Sequence, residues 1–119
     1  MARRHKFYQA ETGVSYQYFY AGRRRLTRPE GQGPGSDFTF GVTADQGPPF
    51  VLRIFVSDRA LAAWQQAHGR DLDANEQYAA AKMRLFRGFN EHERLREELL
   101  RLIVDETNVE ELLAPLELA

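Results

Sequence analysis

The sequence contains no cysteine. This absence excludes a disulfide framework, a thiolate metal cage and a cysteine nucleophile. Nor does the chain contain an apolar run approaching the ~18 residues that a membrane-spanning helix needs. Its basic start is followed by residues 8–12, which do not form the apolar core of an export signal. The sequence therefore predicts a soluble, cytoplasmic protein with no membrane partner.

Sequence motifs of metal, cofactor and catalytic chemistry are also missing. The run Glu91, His92 and Glu93 carries metal-binding side chains, but residues one and two positions apart on a helix do not face each other. No H-E-x-x-H or H-x-H spacing occurs, and the glycine-rich segment 31–35 lacks the lysine and the strand-to-helix context of a phosphate loop. The serines and histidines form no recognisable arrangement of nucleophile, base and orienting group. The sequence therefore predicts no metal ligand, no cofactor and no catalytic residue.

The length and composition of the chain favour one folded domain. A chain of 119 residues is near the commonest domain size, at which a single core buries about two-thirds of the unfolded surface. Hydrophobic residues make up 43% of the sequence, a fraction that argues against a disordered chain. We therefore predict a single α+β domain over residues 1–119, with a sheet-forming half at 1–56 and a helical half at 57–119.

In the first half, apolar and aromatic residues recur with the period of two that is typical of strands. Tyr16, Tyr18 and Tyr20 share one face of such a strand. The Gly- and Pro-rich segment 29–36 interrupts the pattern and is predicted to be an exposed loop. The last strand is apolar at nearly every position, so we expect it to be central and covered on both faces. The predicted strand segments are 6–11, 14–20 with an extension through 23–28, 37–43 and 50–56.

In the second half, the apolar residues change to a helical spacing, and start and stop signals divide this half into three to four helices. Ser57 is an N-cap for the first helix, and Gly69 supplies the left-handed conformation that ends it. Asp73 and Glu76 form a capping box for the second helix, and a short last helix is predicted to start at Thr107. Because the strands precede the helices without βαβ alternation, we predict an α+β fold. In this fold a three- to four-stranded antiparallel sheet is followed by three to four helices that pack mainly on one of its faces.

The third predicted helix begins where Asn90 caps it and contains an apolar stripe formed by Leu95, Leu99 and Leu102. One small sheet does not offer enough surface to cover this stripe as well as the other helices. We therefore expect the stripe to mediate self-association, with a homodimer favoured.

Charge is distributed unevenly along the chain. Residues 1–56 carry eight Lys and Arg against four Asp and Glu, whereas residues 57–119 carry eight against thirteen. Such asymmetry is typical of an anion-binding side, and also of charge matching between sheet and helices or between subunits. Guanidinium groups bind phosphate oxygens, and exposed aromatic rings on a sheet stack on single-stranded bases. The candidate nucleic-acid or anion contacts are Arg23, Arg25, Arg28, Tyr16, Tyr18 and Tyr20.

Three functions remain open on the sequence alone. The first is a small non-catalytic module that associates with itself or regulates a partner. The second is nucleic-acid binding by the basic and aromatic first strands, in which alternation lets Arg23 and Arg25 act together from one face. The third is an enzyme or a small-molecule-binding domain, whose pocket between sheet and helices would be lined by Trp64, Phe86 and Phe89. Of these functions we expect the first, without an enzyme activity.

Overall fold

The structure, a computed structural model, describes residues 5–28, 31–92, 94–95 and 102–118. Strands precede helices as predicted, and a further strand follows near the C-terminal end. The α+β class predicted from the sequence is therefore confirmed. In chain order the elements are β1 (Lys6–Gln9), β2 (Ser15–Arg28), β3 (Gly33–Ala44), β4 (Phe50–Ser57), α1 (Asp58–His68), α2 (Ala74–Glu91), β5 (Leu102–Val104), α3 (Val109–Leu113) and a 3-10 turn (Ala114–Leu116).

One sheet contains all the described strands, in the order β1-β2-β3-β4-β5. The first four strands pair antiparallel, as predicted, and a tight turn joins β1 to β2. The prediction of a wholly antiparallel sheet with at most four strands is wrong, because β5 adds a fifth strand that runs parallel to β4. The sheet is therefore mixed.

Strand β5 replaces the end of the third helix that the leucine spacing predicts. Leu102 pairs in register with Ile54, and Val104 pairs with Val56, so the segment fills the free edge of β4. Its last two residues are β-branched, and such side chains pack well on a pleated surface. The predicted start of that helix is also wrong, since Asn90 lies in the last turn of α2.

The predicted loop at 29–36 is wrong in its second half, because β3 already begins at Gly33. Gly35 and Ser36 are buried where β3 runs between β2 and β4. A Cβ atom at Gly35 would lie 2.5 Å from the carbonyl oxygen of Val56. Glycine at this position therefore permits a close approach of two strands and does not mark a flexible turn. Residues 29–30 lie outside the described residues.

The predicted start and end of α1 and the predicted start of α2 are confirmed. The Ser57 hydroxyl accepts a hydrogen bond from the backbone N–H of Ala60 at 3.1 Å, and Gly69 ends α1 with a φ of 74°. The Asp73 carboxylate accepts from the N–H of Glu76 at 2.8 Å, and the Glu76 carboxylate accepts in return from the N–H of Asp73 at 3.0 Å. These side chains satisfy backbone groups that have no partner within the helix itself.

The short last helix starts at Val109, after its predicted start at Thr107. The carboxylate of Asp105 accepts hydrogen bonds from the N–H and the hydroxyl of Thr107, at 2.9 and 2.6 Å. Thr107 is therefore held in a turn that precedes the helix.

The capping carboxylate of Glu76 also links stability to pH. Arg70 donates two hydrogen bonds to it, at 2.8 and 2.9 Å, and these bonds, with that from the Asp73 N–H, lower its pKa from 4.5 to about 2. The folded state therefore holds this proton less tightly than the unfolded state does. The resulting stabilisation is complete above the unfolded pKa and is lost as pH falls through the folded pKa.

We expect the difference in Tm between the wild-type protein and Glu76→Gln to be constant near neutral pH. It should shrink as pH falls from 4.5 towards about 2, the interval between the unfolded and folded pKa of Glu76. Thermal unfolding followed by circular dichroism at a series of pH values measures this difference. A difference that does not change across the interval would contradict the assignment of the lowered pKa to Glu76.

Helix α2 covers one face of the sheet, which we call the inner face. The ring of Tyr16 stacks on that of Phe89 with centroids 4.0 Å apart, and Tyr8 stacks on Phe86 at 4.5 Å. We call the opposite face the outer face. The buried hydrophobic side chains that β2, β3 and β4 place on the inner face are Tyr16, Tyr18, Phe38, Phe40, Val42, Leu52, Ile54 and Val56.

The first half of strand β4 is not covered on both faces, contrary to the prediction. Residues 54–57 are buried, as expected for a strand covered on both faces. Val51, however, is 53% exposed on the outer face, and Arg53 is exposed beside it. The outer face is therefore open along the first half of β4.

Candidate functional site

A β-bulge in β2 decides which of the predicted site residues share a face. Tyr20 pairs with Phe40 and Gly22 pairs with Thr39, so one extra residue lies between them on β2. The extra residue reverses the alternation of the strand. The even-numbered tyrosines before the bulge and the odd-numbered arginines after it therefore lie on the same inner face, whereas Arg28 lies on the outer face.

The three predicted tyrosines contribute mainly to packing. Tyr16 and Tyr18 are buried beneath α2, and burial raises the pKa of the Tyr18 hydroxyl. Tyr20 keeps part of its ring exposed, and its centroid lies 4.9 Å from that of Tyr78 on α2. Tyr16 and Tyr18 therefore have no free ring face on which a base could stack.

Arg23 and Arg25 act together as predicted, but their shared partners are inside the protein. Both donate to the hydroxyl of Ser36, at 3.1 and 3.3 Å. Arg25 also forms a two-pronged ion pair with Asp58 at 2.6 and 2.7 Å, and these hydrogen bonds lower the pKa of the Asp58 carboxyl. Arg23 also donates to Gln77 near the start of α2, at 3.2 Å. These contacts join β2 to β3 and to both helices of the inner face.

Arg28 has a partner that is buried more deeply. Its guanidinium donates to the carboxylate of Asp37 at 2.9 Å and lies 5.2 Å from the ring centroid of Phe55. The Asp37 side chain is only 2% exposed and that of Arg28 is 20% exposed. Arg28 therefore neutralises a buried charge of the fold.

Two of the three leucines predicted to mediate self-association are not exposed. Leu95 and Leu102 are both buried in the core of the chain, and Leu99 lies outside the described residues. Self-association stays a prediction, but Leu95 and Leu102 offer no exposed surface for it.

Two of the three residues predicted to line a pocket between sheet and helices are packed in the core instead. Trp64 and Phe89 are buried in the core. Phe86 instead lines a surface depression of about 320 Å³ beside Tyr8 and Asn90. Asn90 donates to the Tyr8 hydroxyl at 2.8 Å, so two polar groups of this depression already bind each other.

The outer face carries a group of side chains that the sequence analysis does not single out. We call it the outer patch. Phe7 is 75% exposed and Val51 is 53% exposed, so no described element covers this part of the sheet. The outer patch consists of Phe7 on β1, Phe19 and Arg24 on β2, and Val51 and Arg53 on β4.

The strand register places the members of the outer patch in adjacent rows. Phe19 pairs with Gly41, and Gly41 pairs with Val51, which forms an apolar row across three neighbouring strands. The ring of Phe19 occupies the space above Gly41, where a Cβ atom would collide with it. Arg53 belongs to the next row, about 7 Å away along the strands, and Arg24 belongs to the row after that.

The outer patch is cationic. Within the described part of the chain, no hydrogen bond or ion pair engages Arg24 or Arg53. The neighbouring charges on the same face, Arg28 and Asp37, neutralise each other. Two guanidinium groups and a largely exposed phenyl ring therefore face solvent on one surface.

The sequence does contain a signal for part of the outer patch. Tyr18, Phe19 and Tyr20 are consecutive aromatic residues, and alternation must place the middle one opposite its neighbours. Once α2 covers the tyrosines, Phe19 has to lie on the other face. The contribution of Val51 and Arg53 is not visible in this pattern, because it depends on how far the helices extend over β4.

Neither a membrane span nor a metal centre is found in the described parts of the chain. None of the described helices is both long and apolar enough to cross a membrane. Within the described residues, no three His, Asp or Glu side chains are grouped as metal ligands. Glu93, which belongs to the run excluded above as a metal site, lies outside these residues.

No protein-family model, curated protein or solved structure matches the chain. A proposal for its function therefore depends on the chemistry of its own surface.

Proposed function

We propose that the chain binds single-stranded nucleic acid through the outer patch. The observation that supports this most is a single uncovered sheet face that combines exposed aromatic surface with two guanidinium groups without a partner in the described residues. Base stacking on an aromatic side chain is worth about 1–3 kcal/mol per base. Guanidinium groups bind phosphate oxygens through two parallel hydrogen bonds. The two kinds of contact together suit a polymer of bases and phosphates.

A single strand fits this surface better than a duplex. The faces of the bases are hidden inside a duplex but are free to stack in a single strand. Phe7 and Phe19 lie at one end of the outer patch, and Arg53 and Arg24 follow in successive rows. Bases can therefore stack at the aromatic end while the phosphate backbone passes over the arginines.

A second copy of the chain is a poorer partner for the same surface. A two-fold pairing of outer patches in which equivalent rows meet would bring Arg24 and Arg53 of both copies together. Of the acids near this surface, Asp37 is buried and already paired with Arg28, and the exposed Asp45 lies beside Phe7, at the end away from the two arginines. Like charges that face each other across an interface oppose association. An anionic partner therefore fits the outer patch better than a copy of itself.

Replacing both arginines of the outer patch is expected to weaken binding and to reduce its salt dependence. Each phosphate contact that is lost lowers the slope of log K against log salt by about 0.7 for a single strand. We therefore expect Arg24→Gln/Arg53→Gln to lower the slope by about 1.4. Phe7→Ala should lower the affinity about tenfold, through lost stacking, without changing the slope. Fluorescence anisotropy of a labelled oligonucleotide at several salt concentrations measures both quantities.

The double variant Arg23→Gln/Arg25→Gln is the matched control, because it removes the same number of charges from the inner face of the same sheet. It should bind as the wild-type protein does. Equal losses in both double variants would show attraction by net charge alone and would contradict a site at the outer patch. No saturable binding by the wild type, with a dimer in light scattering that Phe7→Ala dissociates, would favour self-association through this face.

A further inference from the structure

A surface depression of about 420 Å³ lies beside the aromatic end of the outer patch. We call it the corner depression, and its size falls within the range of about 300–1,000 Å³ that is typical of small-ligand sites. Phe7 and Gln17 pair in register, so both side chains lie on the outer face. The corner depression therefore continues the outer patch, and Phe7 belongs to both. The residues that line it are Phe7, Ser15, Tyr16, Gln17, Asp45 and Gln46.

The carboxylate of Asp45 is held in place at this depression. The Ser15 N–H donates to its Oδ1 at 2.9 Å, and the Asp45 N–H donates to the Ser15 carbonyl at 2.7 Å. A carboxylate has about four acceptor sites, and the bond from Ser15 uses one of them. Among the described residues, no cation forms an ion pair with Asp45. Asp45 therefore presents a fixed, negatively charged acceptor to a ligand beside Phe7.

The turn that contains Asp45 keeps a side chain where glycine is usual. Asp45 and Gln46 both have a positive φ, of 49° and 62°, and the Gly47 N–H closes the turn on the carbonyl of Ala44 at 2.8 Å. In turns with two such residues, glycine usually takes the second central position, which Gln46 occupies here. Side chains kept in a costly backbone conformation are typical of ligand sites. Within the described part of the chain, no hydrogen bond engages the Gln46 amide.

We propose that the corner depression selects guanine among the bases that stack on Phe7, an inference that rests on the proposed binding of single-stranded nucleic acid by the outer patch. The oxygens of the Asp45 carboxylate accept hydrogen bonds and donate none. Guanine presents two adjacent donors on its Watson–Crick edge, N1–H and the amino group at C2, and these match the two oxygens. The neighbouring O6 of guanine accepts from an amide N–H, which Gln17 and Gln46 supply.

The other bases match a carboxylate less well. Adenine and cytosine carry a ring nitrogen with a lone pair beside their amino group, so one carboxylate oxygen would meet another acceptor. Thymine and uracil have a carbonyl oxygen on each side of N3–H, so both neighbours of the single donor would repel the carboxylate. A site that is built to hydrogen-bond one group strongly rejects an analogue that lacks it.

The position of Asp45 separates base contact from phosphate contact. Asp45 follows Thr39, the partner of Arg53, by six residues of extended chain, which is about 20 Å. A strand whose phosphates pass over the arginines of the outer patch therefore brings a base to Asp45 at its far end. The same carboxylate repels the phosphates of any strand. Its removal should therefore have opposite effects on strands with and without guanine.

Asp45→Asn tests this proposal in fluorescence anisotropy with a labelled oligothymidine and with the same strand carrying one central guanine. We expect the wild type to bind the guanine strand about tenfold more tightly, the discrimination of a good two-pronged contact. Asn keeps an oxygen for the Ser15 N–H but replaces the second acceptor by a donor, so this preference should disappear while the affinity for oligothymidine rises. Hypoxanthine in place of guanine, which lacks only the amino group at C2, should likewise lose most of the preference.

Gln46→Gly separates the side chain from the turn. Glycine suits the positive φ at this position, so the Tm should stay the same or rise. The amide is lost, so the preference for guanine should fall several-fold. A full guanine preference in this variant would exclude Gln46 from the contact with O6.

Glu11→Gln is the matched control, because it removes an exposed carboxylate from the turn between β1 and β2, outside the corner depression. It should leave the preference for guanine unchanged, as should Arg24→Gln/Arg53→Gln, which weakens binding of both strands. Equal binding of the two strands by the wild type, or a guanine preference that survives in Asp45→Asn, would overturn this inference and leave the outer patch as an unselective site. No saturable binding of either strand would overturn both proposals.

Discussion

The protein is expected to lose about 3–5 kcal/mol of unfolding free energy when Arg28 is replaced by methionine. The Asp37 carboxylate is 2% exposed and receives a hydrogen bond from Arg28 at 2.9 Å. Methionine keeps much of the length of the side chain but leaves this carboxylate buried without its counter-charge. Urea unfolding followed by circular dichroism measures the loss, since ΔG falls linearly with denaturant for a domain of this size.

The variant Arg25→Met is the matched control for this prediction. It removes an arginine from the same strand and from another carboxylate, Asp58, but the two side chains of that pair are 57% and 40% exposed. Exposed ion pairs contribute about 0–1 kcal/mol, so the control should lose far less stability than Arg28→Met. Equal losses in the two variants would show that burial of Asp37 is not the cause.

The arginines of β2 differ in whether they stabilise the fold or are available to bind a ligand. The sequence alone does not distinguish the roles of Arg23, Arg25 and Arg28, because all three lie close together beside a run of aromatic residues. The structure gives each of them a partner within the chain and leaves Arg24 without one in the described residues. Neighbouring arginines on one strand therefore differ in role because of the partners that other strands and helices bring to them.

Local signals in the sequence predict the helix ends well. Ser57, Gly69 and the capping box of Asp73 with Glu76 all depend on residues within four positions of one another. Chemistry at this range acts in the same way in any fold. The sequence is therefore a sufficient guide to where α1 begins and ends and where α2 begins.

Elements that depend on distant partners are predicted less well. Leu102 continues a helical leucine spacing, yet it belongs to a strand because the free edge of β4 offers hydrogen bonds and an apolar contact at Ile54. Gly35 has the composition of a loop, yet it lies in β3 because β2 and β4 pair with it on both sides. In both cases the decisive neighbour lies far away in the sequence.

The β-bulge after Tyr20 explains why only part of the candidate site is visible in the sequence. An uninterrupted period of two would put Arg23 and Arg25 opposite the tyrosines, whereas the bulge puts all of them on the inner face. Gly22 inside a strand pattern is a signal for a bulge, but this signal alone does not specify that an extra residue lies there. The outer patch could therefore be inferred at Phe19 alone, from its position between two tyrosines.

Gly35→Ala is expected to destabilise the protein by about 3 kcal/mol, at the upper end of the usual cost of overpacking. The new Cβ would lie 2.5 Å from a ring carbon of Phe55 and 2.5 Å from the carbonyl oxygen of Val56. The ring is buried, and the carbonyl belongs to the strand that pairs with β3, so neither can retreat without loss of packing or of hydrogen bonds. Urea unfolding of the purified variant measures the cost.

Gly41→Ala is the control, because it makes the same substitution on the same strand. There the new Cβ meets the far end of the Phe19 side chain. This ring stacks on the exposed His5 at 5.1 Å, and the two rings can move outward together from the outer face. We expect a loss below about 1 kcal/mol, since a rotamer change on an uncovered face costs little. The displaced ring would no longer lie beside Val51, so binding of single-stranded nucleic acid should weaken although the fold is kept. A stable Gly41→Ala variant with unchanged affinity would exclude Phe19 from the binding surface and leave Phe7 as its aromatic contact.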